Sequence, residues 1–368
     1  MRVGIVGCGD VNRLYLPGSA RYEGIELAGC ADRHPERAEA LSGRGGFPAL
    51  SVDALLADPG IELILNLTTA ASHAEISRAA IAHGKHVYSE KPLATSLADA
   101  GAILDEAERR GVRVGAAPDT FLGSGLQAAR AAIDGGGLGD VFAAVARVAH
   151  PKPETRNPNP APGYARGSGP LLDVGPYYVT ALVHLLGPVA SVTALGRGRG
   201  VERRIEVGPR AGESFLPEVP TTVMATYTFE SGALASLLAT YDGSPLSAGG
   251  IEVYGSMGTL QIGDPNHFDK PVRRHLRETG RWEDMPLPIV VSGERGLGLA
   301  EMIAAIAAGR PHRASGALAY HVLDVLLATE ASANEGRPIA VASTCARPEP
   351  LPDPRLGGDP FASVPPAR

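Results

Sequence analysis

The opening segment, RVGIVGCGDVNRLYL, constrains the fold most: an apolar strand pattern runs into Gly7-Cys8-Gly9 and then into a helix-like pattern. A second apolar strand, IELAGCAD, ends in Asp32, 25 residues after Gly7. Strand, glycine turn, helix, strand and acid thus fall in order within one βαβ-sized unit. In such a unit Gly7 permits the tight turn and Gly9 lets the backbone approach a pyrophosphate. The helix N-terminus offers free N–H groups and a positive dipole end to the anion. Asp32 would accept hydrogen bonds from the ribose hydroxyls of a dinucleotide. The third fingerprint position is Asn12 rather than Gly or Ala, so the turn alone also suits a flavodoxin-like unit without nucleotide. The order of the elements favours the dinucleotide.

The alternation continues through helix PERAEAL, the short DALLADPG segment and strand IELILNLTT. Helix ASHAEISRAAIAHG, strand KHVYSEKPLA, helix SLADAGAILDEAERRG and strand VRVGAAP follow. Strands alternating with helices of this length predict a doubly wound parallel sheet, an α/β fold. Ligands of such sheets lie beyond the carboxyl ends of the strands, where NLTT, SEKP and AAPD fall. The Asp32 carboxylate would repel a 2′-phosphate, which favours NAD. Arg33 and Arg37 lie just beyond it and keep NADP possible.

Composition narrows the class. The 368 residues, 44% hydrophobic and 20% charged, suit two globular domains, and the net charge of −6 gives no reason to expect nucleic-acid or anionic-membrane binding. The longest apolar runs fall short of a bilayer span, and the N-terminus enters a strand without a signal-peptide layout. Cys8, Cys30 and Cys345 have no metal-ligand spacing. A reduced, cytoplasmic protein without disulfides or a bound metal is expected.

From about residue 120 the pattern changes. Helix GSGLQAARAAIDGG leads to longer, more alternating strands joined by Gly-containing turns, with a hairpin candidate at ES-GA. The expected division is 1–119 for the dinucleotide domain, 120–345 for an α/β domain that binds substrate and oligomerises, and 346–368 for a proline-rich tail. Helices LGLAEMIAAIAAG and LAYHVLDVLLATEASANEG either cap the second sheet or return to the first domain. Residues 150–169 form a polar, proline-rich segment with Lys152, Arg156, Asn157, Tyr164 and Arg166 as candidate substrate contacts.

The GCG turn, NLTTAASHAEISRAAIAHGKHVYSEKPLA, GPLLDVGPYY and VYGSMGTLQI together resemble the Gfo/Idh/MocA family of NAD(P)-dependent oxidoreductases, over nearly the whole chain. The resemblance implies a Rossmann domain followed by an α/β domain with a large, open, mostly antiparallel sheet. It implies hydride transfer between nicotinamide and a secondary alcohol or ketone of a sugar, cyclitol or glycoside. By it, the dinucleotide contacts are Gly7, Gly9, Asp10, Val11, Asp32, Arg33, Thr68, Thr69, His73, Glu90, Lys91 and Pro92. Lys91, Asp173 and Tyr177 are the implied catalytic residues, with Asp119 and Arg166 added on the substrate side.

The residues themselves support part of this. Pro92 ends the strand, and Lys91 then projects from the sheet edge. An ammonium there can bind a substrate hydroxyl and stabilise an alkoxide. Tyr177 stands where many relatives have His, four residues after Asp173. A phenol normally keeps its proton to about pH 10, so Tyr177 suits an acid, or a base only with a cation beside it. Asp119 stands where many relatives have Asn or Arg at the strand end. His184 reads as a buried helix histidine. Two alternatives keep the fold: redox-assisted elimination with recycled bound NAD, and a non-catalytic NAD sensor or scaffold. An open sheet needing cover predicts a homodimer or homotetramer.

Overall fold

The computed structural model describes residues 1–19, 21–22, 24–243, 249–287 and 295–352. The proline-rich tail is therefore described only as far as Pro352, and 353–368 lie outside the described residues. The chain divides into two compact units. Of the described residues, the first unit takes those of Met1–Gly123, the segment that ends at Leu323, and Pro348–Pro352; the second takes those from Ser124 to 287 and Asp324–Arg347. The first boundary lies four residues from the expected 119, but the chain returns to the first unit well before the expected 345.

In the first unit, β1 (Arg2–Val6), β2 (Glu26–Ala31), β3 (Leu63–Asn66), β4 (His86–Ser89) and β5 (Val114–Ala116) form a parallel sheet in the order β2-β1-β3-β4-β5. The crossovers are α1 (Asn12–Ser19), α2 (Pro35–Gly45), α3 (Val52–Ala57), α4 (Ala70–Ala82) and α5 (Leu97–Arg110). The strands are short apolar runs buried on both faces; all four residues of β3 are buried. Helix α5 shows how sequence sets an element: the Ser96 side chain accepts from Asp99 N–H at 3.1 Å, and Gly111, at φ 67°, closes the other end. Strand order reverses at β1, so a crevice opens where β1 and β3 end.

The second unit starts with α6 (Ser124–Asp134), β6 (Val141–Ala149), α7 (Gly169–Asp173) and α8 (Gly175–Leu186). Next come β7 (Val189–Arg197), β8 (Arg203–Arg204), β9 (Ser214–Phe215), β10 (Thr222–Phe229) and β11 (Leu234–Thr240). The strands β12 (Gly250–Gly255), β13 (Gly258–Ile262), β14 (Val272–Leu276) and β15 (Arg281–Asp284) follow. Helix α9 (Leu297–Ala307) returns to the first unit, α10 (Gly316–Glu335) runs from the first into the second, and β16 (Ile339–Ala340) ends the described elements.

Nine strands form one sheet in the order β15-β14-β13-β12-β6-β11-β10-β7-β16, with β6 and β11 parallel and the other neighbours antiparallel. The ES-GA turn joins β10 to β11, with Gly232 at φ 86°. Along β10 buried and exposed residues alternate: Val223, Ala225, Tyr227 and Phe229 point into the core, while Met224 points out. Helices α7, α8 and α6 pack on this sheet.

Candidate active site

At the carboxyl ends of β1 and β3 lies an open cleft of about 630 Å³, lined by Gly7, Gly9, Asp10, Val11, Asp32, Arg33, Thr68 and Thr69 among others. Eight of the expected dinucleotide residues therefore come together. Gly7 has φ +98°, and a Cβ there would stand 2.5 Å from the carbonyl carbon of Leu67. No side chain fits between the turn and the end of β3. A Cβ added at Gly9 would meet nothing within 4 Å, which leaves the open approach a pyrophosphate needs. Asp32 Oδ2 accepts from Cys8 N–H at 2.7 Å, and Oδ1 from His34 N–H at 2.9 Å. The carboxylate is thereby aimed by backbone donors on both sides, and each oxygen keeps a second lone pair. These features fit a dinucleotide.

Asn12 is explained by its own bonds. Its buried Nδ2 donates to the carbonyls of Gly7 at 2.8 Å and Gly9 at 3.3 Å, bracing the turn from beneath.

Lys91 and Pro92 follow β4 and are joined by a cis peptide. Lys91 is half-buried. Glu90, expected to touch the cofactor, is buried: Oε1 accepts from the Tyr15 hydroxyl at 2.8 Å and Oε2 from Lys91 N–H at 3.1 Å. Burial, and then the Glu90 charge, hold the Tyr15 phenol well above its ordinary pKa, so it stays a donor. His73, also expected among the cofactor contacts, is 1% exposed. Its Nδ1 lies 2.6 Å from the Pro92 carbonyl and its Nε2 3.1 Å from the Thr68 carbonyl. It ties the Lys91-Pro92 turn to the end of β3 and does not reach the cleft lining. Burial lowers its pKa against the opposing pull of both carbonyls.

Asp119 corrects an expectation. It is wholly buried, and Oδ2 accepts from Gly296 N–H at 3.1 Å and Gly298 N–H at 2.9 Å, with Arg295 3.9 Å from Oδ1. Its carboxylate caps α9, which has no capping side chain of its own, and is not presented to a substrate. Burial raises its pKa.

In the second unit Asp173 ends α7, and Gly175-Pro176 open α8 after a break at Val174. Within Gly169–Gly187 Asp173 is the one exposed residue. Tyr177 is 8% exposed and Tyr178 1%, the latter donating to Asp264 Oδ1 at 3.1 Å. The two tyrosines are thus unequal, with Tyr178 anchored inside. His184 is buried, with Gln127 and Arg130 against its ring. Arg166, expected beside substrate, is exposed and lines a separate cavity of about 370 Å³ with Arg199, Glu218 and Glu330; Asp173 is not among the lining residues. Tyr164 is buried and bonded to Glu154.

Sequence reasoning missed Tyr15 and Tyr241, whose hydroxyl donates to Asp173 Oδ2 at 3.0 Å. Neither carries a local signal, since an aromatic in a helix or at a strand end reads as core. Among the described residues no group of three or more His, Cys, Asp or Glu side chains could hold a metal, and no helix is long and apolar enough to cross a membrane.

The description "Oxidoreductase family, NAD-binding Rossmann fold" matches residues 1–117, and "GFO/IDH/MocA C-terminal domain" matches 126–261. The chain is 31% identical to dTDP-3,4-didehydro-2,6-dideoxy-alpha-D-glucose 3-reductase of Streptomyces violaceoruber, over 62% of this chain and 66% of the relative. It is 29% identical to 1,5-anhydro-D-fructose reductase of Ensifer adhaerens, over 74% of this chain and 78% of the relative. Among solved structures, levoglucosan dehydrogenase in complex with NADH and L-sorbose shares the fold at a TM-score of 0.81 and 21% identity, covering 93% of this chain and 99% of the other. With its cleft and both matched domains, this chain belongs to the GFO/IDH/MocA family of oxidoreductases, and its first domain is an NAD-binding Rossmann fold.

Proposed function

We propose that this oxidoreductase moves a hydride between the nicotinamide and a secondary alcohol or ketone of a sugar or cyclitol. The observation that carries the reading is the seating of Lys91. The residue follows β4 at the same sheet edge as the nucleotide cleft, half-buried, with its backbone N–H held by Glu90. An ammonium in that setting binds a substrate hydroxyl and stabilises the alkoxide on the way to the ketone. We assign Asp173 to substrate orientation, as the one exposed residue of its apolar stretch, and Tyr177 to the alcohol proton. Gly7, Gly9, Asp32, Thr68 and Thr69 hold and orient NAD, which when bound supplies the carbon that accepts or donates hydride.

Two relatives named as reductases of sugar derivatives support a keto-sugar or the corresponding alcohol as substrate. They give no support to redox-assisted elimination or to a non-catalytic sensor. The outward side chains Leu195 and Met224, cross-strand neighbours on β7 and β10, are 70% and 62% exposed and support a homo-oligomer through the sheet.

The test is the absorbance of NADH across a panel of sugars, cyclitols and keto-sugars, in both directions. Net turnover of at least one member with NAD or NADH is expected. Turnover with NADP alone, or none at all, overturns the reading.

A further inference from the structure

Asp173 is exposed, yet it is held by a group that is not: Tyr241, 3% exposed and the residue just after β11, donates its hydroxyl to Asp173 Oδ2 at 3.0 Å. Burial, and then the Asp173 charge, push the Tyr241 phenol well above its ordinary pKa, so the hydroxyl stays a donor. The Tyr241 ring stands edge-on to that of Tyr164, with centroids 5.5 Å apart at 80°. Tyr164 is fixed in turn. Its hydroxyl donates to Glu154, and the Arg203 guanidinium lies 5.1 Å over its ring.

Arg203 is clasped from two sides. It bonds Glu154 Oε1 at 2.8 Å and pairs with Asp242, the residue after Tyr241. Asp242 also accepts from Thr221 at 2.7 Å and Thr222 at 2.8 Å. Those bonds outweigh burial and hold its carboxyl below the usual range. A charge-paired base of this kind resists rearrangement, because removing one partner strands the others in a poorly solvated place.

We propose that Tyr241 is a positioning residue for Asp173, and that the Tyr164–Glu154–Arg203–Asp242 cluster is the base that fixes it. This rests on the assignment of Asp173 to the substrate. The hydroxyl holds one carboxylate oxygen, so the carboxylate meets a substrate hydroxyl without first being ordered. Glu154 and Tyr164 both belong to the proline-rich segment, which is thereby anchored beside Asp173.

The test compares Tyr241→Phe, Asp173→Asn and the double variant. The substrate probe is the fastest member of a set containing D-glucose, myo-inositol, levoglucosan and, with NADH, 1,5-anhydro-D-fructose. Tyr241→Phe keeps the ring and its packing. It is expected to lower kcat/KM for the probe by about tenfold or more, the scale of one hydrogen bond to a charged group. The Kd for NADH, followed by fluorescence, is expected to stay within about twofold, and Tyr241→Phe is expected to add little once Asp173→Asn is present. Wild-type turnover by Tyr241→Phe alongside an impaired Asp173→Asn overturns the proposal and leaves the Asp173 assignment standing. So does a Kd for NADH that rises as far as kcat/KM falls, since that is general damage. Wild-type turnover by Asp173→Asn removes the assignment itself, and the proposal with it.

Discussion

The Tyr15 hydroxyl donates to Glu90 Oε1 at 2.8 Å, joining the first helix to the residue that precedes Lys91. The other oxygen of the same carboxylate accepts from Lys91 N–H at 3.1 Å. Tyr15→Phe leaves a buried carboxylate oxygen short of a donor, at a cost of about 1–3 kcal/mol. Melting should occur several degrees lower, and kcat should fall by more than the Kd for NADH rises, because Lys91 rather than the nucleotide cleft loses support. Thermal unfolding and steady-state kinetics on one preparation check both.

Asp32 faces a cleft that Arg33 and Arg37 also line. Asp32→Ala removes the acceptor for a ribose and for Cys8 and His34 N–H, and leaves both arginines. The Kd for NAD should rise by about tenfold or more, while NADP should lose much less or gain. Parallel titrations of the two cofactors decide this; an equal loss for both would show that the arginines do not reach the phosphate position.

Three histidines of the first unit titrate low. His73, His86 and His312 are each pushed down from the ordinary 6.5, with burial the largest cause in every case. Above the unfolded value both states are neutral and the stability is complete. As pH falls below it, the unfolded chain takes up protons that the folded chain refuses, and stability is lost down towards the folded values. Asp119 acts in the opposite sense, its raised pKa favouring the folded state in acid. The three together should lower the melting temperature at about pH 5.5 relative to about pH 7.5. His73→Asn should flatten that slope even where its absolute stability is lower.

Leu195 and Met224 point outward from neighbouring strands, and Leu238 lies opposite Met224 on its other side. A charge placed in this row should split an oligomer. Met224→Asp is expected to elute as a single chain where the wild type elutes as a dimer or tetramer, with the NADH affinity kept. Light scattering after gel filtration reads the difference.

Much of the first unit was legible because its strands are unbroken apolar runs and its turns carry glycine at fixed places. Gly7, Gly9, Asp32 and Thr68 fall together from the strand ends alone. What was not legible was the partner each polar side chain would take. His73 looks the same in sequence whether it meets a cofactor or two carbonyls. Asp119 finds its partners 177 and 179 residues away, a distance no local pattern spans. Asn12 departs from the fingerprint, yet its amide bonds the Gly7 and Gly9 carbonyls and braces the turn, which the residue type alone does not reveal. Tyr241 sits just after a strand, where an aromatic residue ordinarily means packing.

The capping of α9 by Asp119 also bears on the order in which the protein is made. A ribosome releases Asp119 long before Gly296 and Gly298, and until they emerge this buried carboxylate has neither of its backbone donors. The second sheet is almost wholly synthesised in the interval. The nucleotide-binding unit is thus begun first but cannot finish its core until α9 arrives, so a nascent chain halted after β15 should not yet hold NAD.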